Sequence, residues 1–249
     1  MHFIGHFKTI TRHKILVAKG CFKLGLYYQG IMHDMSKYSP TEFLVGVKYY
    51  QGTESPNNAE RMEEGISMSW LHHKGRNKHH FEYWIDYSID KDHPGLVGMK
   101  IPKKYMAEMF VDRVSAGKIY NGDGFDQKSP LEYFEHGIGA SIMCEASRDY
   151  LLNLLRMYAE KGEKYTFAYL KNDLKNDMSG YDKISPFQQC KKILRLDRIS
   201  CICDLKYYHT YSIICNVNQI RSLGCTITCY FEPTFIYHGT SYNRPDVKP

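Results

Sequence analysis

Apolar residues recur through roughly the first 175 positions at spacings of three and four, the pattern of helices that bury one face. Ile10, Ile15, Leu16, Val17 and Phe22 form such a surface within residues 7–30, which read as helical throughout with Gly20, Gly25 and Gly30 as weak points. Ser39-Pro40-Thr41-Glu42 is a helix start. Serine can cap, proline suits the first helical position, and a glutamate three residues after the cap can reach back to its amide. A helix is therefore expected over residues 40–50, followed by a Gly-, Ser-, Pro- and Asn-rich loop over 51–58. The next helix, 59–74, places Ile66, Trp70 and His73 on one face. Residues 77–88 also read as helical, with His80, Tyr83, Trp84 and Tyr87 sharing a face, before an irregular connection over 92–102. Further helices are expected at 103–119, from 129 toward 135, at 147–161 (Leu151, Leu154, Leu155 and Tyr158 on one side) and at 165–174. No strand-like alternation occurs before residue 185. The fold class expected is all-α, a helical bundle over residues 1–174.

Residues 175–249 form a C-terminal extension, and after about Ser185 the pattern is lost. Charge thins out, and β-branched and aromatic residues dominate stretches such as Tyr211-Ser212-Ile213-Ile214 and Thr226-Ile227-Thr228. Two accounts compete: a small strand-rich appendage, or a segment never selected to fold, such as a readthrough or shifted-frame extension. Poor turn grammar and inconsistent patterning favour the second. On this reading, truncation after Leu174 leaves the helical domain folded.

Composition narrows the class only slightly. A hydrophobic content of 43% with 24% charged residues is that of an ordinary globular protein. The net charge of +6 favours anionic ligands, phosphates included, but is not a nucleic-acid signature, and no aromatic-basic interleaving supports one. No apolar run reaches the ~18 to 20 residues that span a membrane, and residues 1–23 lack a signal peptide's apolar core, so a cytoplasmic protein is expected. Six of the eight cysteines fall between Cys190 and Cys229. Cys201-Ile202-Cys203 and the Cys225–Cys229 pair match no four-ligand zinc spacing, and reduced thiols are the default reading.

The candidate chemistry lies in His33-Asp34-Met35-Ser36-Lys37. Adjacent imidazole and carboxylate groups can reach one divalent ion, and further ligand types stand on both sides: His13, His72, His73, His79, His80 and Asp112. In a helical bundle each helix can contribute an inward-facing ligand. Imidazole with carboxylate suits Zn, Fe, Mn, Co or Mg. Glu108 precedes Asp112 by one turn, and Glu42 reads equally as a site residue or as only the capping glutamate. His72 reads as lying outside the ligand set. Trp70, Trp84 and Tyr49-Tyr50 read as core, and His2, His6, His93, His136, His209 and His238 receive no role.

The order of a helix histidine, a His-Asp dipeptide, further histidines and a distal aspartate resembles the HD superfamily of metal-dependent phosphohydrolases over residues 6–120. A closer resemblance is to an uncharacterised, HD-like family of small bacterial and phage-type proteins. It has a His-Asp-x-Ser-Lys-(Phe/Tyr)-Ser-Pro-x-Glu-Phe block and a His-x-x-x-Asn-x-His-His block, which stand here as residues 33–43 and 73–80. The HD resemblance implies that His13, His33, Asp34 and Asp112 hold one ion. The count of ions, one or two, is left open. In the two-ion case Asp34 would bridge to a second ion held by His73 with His79 or His80, and helical phase does not choose between these two because Gly75 and Asn77 break the helix. The activity implied is hydrolysis of a nucleotide or another small phosphorylated molecule by a metal-activated water, with Asp34 and Lys37 at the reacting centre. Lys37, Arg76 and Lys78 would contact the anionic substrate. A di-iron oxygenase on the same scaffold, or a non-catalytic helical interaction protein stabilised by metal, are the alternatives. Oligomeric state is left open.

Overall fold

In the computed structural model, helix α1 (His2–Lys23) buries His6, Ile10, His13, Val17, Gly20 and Cys21. This is a stripe at alternating spacings of four and three in which histidines take two positions otherwise suited to apolar residues. The structure describes residues 2–183 apart from 53, 90, 92, 93 and 138. The expected single helix over 7–30 is divided: α1 ends at Lys23, Gly25 has a positive φ, and a short α2 (Tyr27–Met32) leads into the His-Asp pair.

The 3-10 turn Met35–Tyr38 and α3 (Pro40–Lys48) follow, and then α4 (Pro56–Glu64) and α5 (Met68–Lys74) stand where one helix over 59–74 was expected. Gly65, at φ 74°, turns the chain, because the left-handed region carries no steric penalty for glycine. Ser67 then caps α5 by accepting from the Trp70 amide, and its own hydroxyl donates to the buried Glu60 carboxylate at 2.5 Å. Ile66 therefore lies outside the helix that carries Trp70 and His73.

The helix expected at 77–88 is instead a 3-10 turn (Phe81–Trp84) and strand β1 (Ile85–Tyr87), which pairs antiparallel with β2 (Leu96–Gly98) in the register Ile85↔Gly98. Three-residue strands are too short for alternation to register in sequence, and the shared face of His80, Tyr83, Trp84 and Tyr87 mimicked helical phase. The fold among the described residues is otherwise all-α.

Helix α6 (Lys103–Asn121) runs through the centre, packing on α1 and on α9 (Glu145–Asn176), with α7 (Ser129–Glu135) and α8 (Gly139–Ile142) between. Its Met106, Ala107, Phe110, Val111 and Val114 meet Val17, Cys21, Leu151, Leu154, Leu155 and Tyr158 in the core. The two helices expected at 147–161 and 165–174 are continuous in α9 apart from a kink at Gly162, whose φ 78° and ψ 176° lie in a region open essentially to glycine alone.

The packed unit continues past the boundary expected at 174. Tyr181 is buried: its hydroxyl donates to the Ile101 carbonyl at 2.5 Å and lies 2.7 Å from Ser147 Oγ. Lys103, buried at the start of α6, is neutralised by Asp173, Asp177 and Asp182. The patternless segment after Ser185 and its six cysteines lie outside the described residues. No helix among those described is long and apolar enough to cross a membrane.

Candidate metal centre

Four segments converge on the middle of α6. α1 supplies His13, the α2 exit supplies His33 and Asp34, the α5 end and the turn after it supply His73, His79 and His80, and α6 supplies Asp112. Asp34 adopts φ 52°, a left-handed conformation unusual for a residue other than glycine. That turn between α2 and the 3-10 segment points consecutive side chains, His33 and Asp34, into the same cluster. Strain of this kind, of order 1–3 kcal/mol, persists only where the surroundings enforce it. Here the enforcing contacts are buried and polar: His33 and Asp34 are 1% and 2% exposed.

The ligand atoms fall into three groups, two of which share Asp34, while the third is His33, His79 and Glu108. In the first, His13 Nε2 lies 2.9 Å from Asp112 Oδ1 and 3.3 Å from His33 Nε2, while His33 Nε2 lies 3.4 Å from Asp34 Oδ2. In the second, Asp34 Oδ1 lies 3.2 Å from His73 Nε2 and 3.3 Å from His79 Nε2, with His80 Nε2 2.9 Å from His73 Nε2. Each carboxylate oxygen of Asp34 thus faces a different set of histidines. Both His79 and His80 reach the second group, because they sit in a non-helical turn where neighbours can point the same way.

Carboxylates behind the rings fix their orientation. Glu108 Oε1 lies 3.0 Å from His33 Nδ1 and 3.1 Å from His79 Nδ1, and Glu42 Oε2 lies 2.8 Å from His73 Nδ1. A histidine donating Nδ1–H to a carboxylate presents its Nε2 lone pair on the opposite side, the usual arrangement behind a metal ligand. Three Nε2 atoms are presented inward in this way. Asp34 Oδ1 and His79 Nε2 are buried and have no hydrogen-bond partner. Unsatisfied buried atoms are costly, and a cation between them would satisfy both. The second group therefore fits a divalent ion, and the first offers two imidazoles and two carboxylates that could hold one as well.

Local charge follows the same geometry. Burial disfavours a charged His79 ring, but Asp34 and Glu108 outweigh it and push its pKa up to about 10. Burial likewise opposes ionised Asp34 and Asp112, yet neighbouring histidines (with Lys37 for Asp34) hold both carboxyls well below the usual range. His80 is held well below the ordinary histidine value by burial and then by His79 and His73. Lys37, half-buried, sits with its Nζ 2.6 Å from Asp34 Oδ2, which keeps its ammonium charged.

The two sequence blocks also meet directly. Asn77 Nδ2 donates to Ser36 Oγ at 2.8 Å and to the His73 carbonyl at 2.8 Å, while Trp70 stacks on His73 with ring centroids 5.6 Å apart. The family of unknown function DUF5662 matches residues 2–157. The chain belongs to DUF5662. The matched span contains all seven candidate ligands and both orienting glutamates. No curated protein and no solved structure matches the chain.

In this DUF5662 chain the structure brings His13, His33, Asp34, His73, His79, His80 and Asp112 together, with Lys37 beside them. It leaves Arg76 and Lys78 on the exposed turn: Arg76 donates to the His72 carbonyl at 3.3 Å, and Lys78 lies over the rings of Tyr83 and Tyr105. His72 stands outside both groups, with Nδ1 2.6 Å from Glu42 Oε1. Glu42 does not serve as a capping glutamate; its carboxylate is spent on His72 and His73. Glu108 was the residue missed. Its one available signal was its position a turn before Asp112, on the same side of α6.

Proposed function

We propose that this DUF5662 chain is an HD-like metal-dependent phosphohydrolase acting on a small phosphorylated molecule, a nucleotide or a simpler phosphomonoester. The observation that carries the reading is a pair of buried His/Asp groups sharing the two oxygens of Asp34, with their imidazoles oriented by Glu42 and Glu108. His13, His33, Asp34 and Asp112 would hold one ion, and Asp34, His73, His79 and His80 a second. The mixed imidazole and carboxylate donors suit Mn, Fe, Co or Zn better than Mg, which prefers oxygen ligands alone. Such ions, when bound, lower the pKa of a water to near neutrality and polarise a phosphoryl oxygen.

The chain's own residues supply the rest. Lys37 holds Asp34 in place and borders a small cavity of about 50 Å3 lined also by His6, Glu42, Tyr50 and Tyr120. Its ammonium stands where a phosphoryl group entering that cavity would meet positive charge. Arg76 and Lys78, exposed on the nearby turn, would meet the remainder of an anionic substrate. Phosphate release from a panel of nucleotides and small phosphomonoesters, with the protein loaded in turn with Mn, Fe, Co and Zn, tests the proposal. Hydrolysis by the wild type and its loss in Lys37→Ala with metal retained are expected. No release from any substrate by fully loaded protein would reject it. A second reading, a non-catalytic bundle held together by metal, is favoured by the depth of the site, where His33, His73 and His79 are 1–2% exposed. It predicts full metal loading with no exchange of bound water. Oxygen consumption by an iron-loaded, coloured protein would instead indicate di-iron oxygenase chemistry.

A further inference from the structure

Glu108 contributes to neither ligand group that shares Asp34, yet one of its oxygens reaches both. Oε1 lies 3.0 Å from His33 Nδ1 and 3.1 Å from His79 Nδ1. His33 belongs to the first group and His79 to the second. The two rings lie close, with centroids 4.3 Å apart and planes 37° apart. Their Nε2 atoms approach opposite oxygens of Asp34, at 3.4 and 3.3 Å. One carboxylate oxygen has two lone pairs and can accept both N–H bonds. The His33–His79 pair is therefore clamped between Asp34 on its ligand side and Glu108 behind. Glu42 makes a useful contrast: its carboxylate meets His73 of the second group and His72 of neither, so it serves one group only.

We propose that Glu108 is a positioning residue that couples the two metal groups, so that filling one preorganises the other. This rests on the metal reading above. An ion on His33 Nε2 fixes the Nδ1–H tautomer and locks Glu108 Oε1. Glu108 is 4% exposed on the central helix α6 and has little freedom to rearrange, so the locked oxygen holds His79 with its Nε2 lone pair directed at the second group. By linkage the effect is reciprocal, and occupation of either group raises the affinity of the other. Asp34 would contribute to holding both ions, whereas Glu108 ties the histidines that would hold them.

Calorimetric titration of the metal-stripped full chain with Mn2+, beside Glu108→Gln and Glu42→Gln, tests the coupling. The wild type is expected to take two ions, the second at least as tightly as the first. Loss of an orienting carboxylate typically costs about 10- to 100-fold in affinity. Glu108→Gln should therefore weaken both ions by that order and remove the cooperativity, while Glu42→Gln weakens one. Thermal melts of the stripped proteins check folding, and Glu108→Asp, which keeps the charge but withdraws it by one methylene, should show the same double loss if Glu108→Gln does not fold. Weakening of a single ion in both Glu108 variants, or of neither, overturns the coupling and leaves the metal centre standing. Complete loss of one ion alone would also overturn it, by making Glu108 a ligand. A wild type that binds no Mn2+ overturns the coupling together with the metal reading.

Discussion

Gly20→Ala probes the contact that brings His13 to Asp112. Gly20 lies on the buried stripe of α1, one turn past Val17, where α1 crosses α6. A methyl group there would overlap Val111 Cγ1, with Val111 Cγ2 at 3.5 Å and Phe167 Cε1 at 3.6 Å. Valine in a helix is nearly confined to one χ1 rotamer, and Val111 is 1% exposed, so relief must come from separating the helices. Overpacking of this kind costs about 1–3 kcal/mol. Replacing glycine by alanine within a helix returns about 1 kcal/mol. The net expectation is destabilisation of about 1 kcal/mol, with weaker metal binding as the 2.9 Å His13–Asp112 contact opens. Val111→Ala removes two methyl groups and costs about 1.6 kcal/mol from lost burial alone. In that background the new methyl group fills the vacated space, so Gly20→Ala should become stabilising. Urea denaturation of the four proteins of this cycle reads the sign directly. A substitution at Gly20 that has the same effect in both backgrounds, within about 0.5 kcal/mol, refutes the packing argument.

Metal affinity should rise with pH, because His79 carries its proton up to about pH 10 and coordination through Nε2 must expel it. Each proton released steepens log affinity by about one per pH unit, and a flat profile between about pH 6 and pH 8 would contradict the assignment. The same raised pKa stabilises the metal-free fold in full below about pH 6.5, and that contribution falls away as pH climbs through about 10, which denaturant melts across the range would reveal. A chain ending after Leu174 loses Tyr181 and Asp177 and should be less stable than one ending after Lys183 by about 3–5 kcal/mol, the usual cost of deleting a buried aromatic. Identical melts would return the boundary to 174.

The helices that position the site were legible because their buried faces repeat at three and four. Val17 and Cys21 on α1, and Leu151, Leu154 and Leu155 on α9, follow that rule throughout. His33-Asp34 and the His79-His80 doublet stood out by residue type. The short β1–β2 hairpin did not, since its pairing of Ile85 with Gly98 is non-local and each strand has three residues. The break at Gly65 was masked by an apolar spacing that ran across it. The two orienting glutamates were obscured for different reasons. Glu42 occupies a position where a local capping role is the ordinary explanation, and its choice of His73 depends on how α3 packs on α5. Glu108 sits inside a helix, where a carboxylate ordinarily faces solvent, and only the convergence of α2 and the His79 turn on α6 gives it two imidazoles to hold.

Metal binding by the two groups sharing Asp34 underlies every functional proposal made for this chain. It is tested most directly by the metal content of protein purified without a metal-affinity tag, measured beside Asp34→Ala. Close to two ions per chain are expected in the wild type and loss of both in the variant, with the helical fold retained. Absence of metal from the wild type even after reconstitution, or full metal retention in Asp34→Ala, would contradict it.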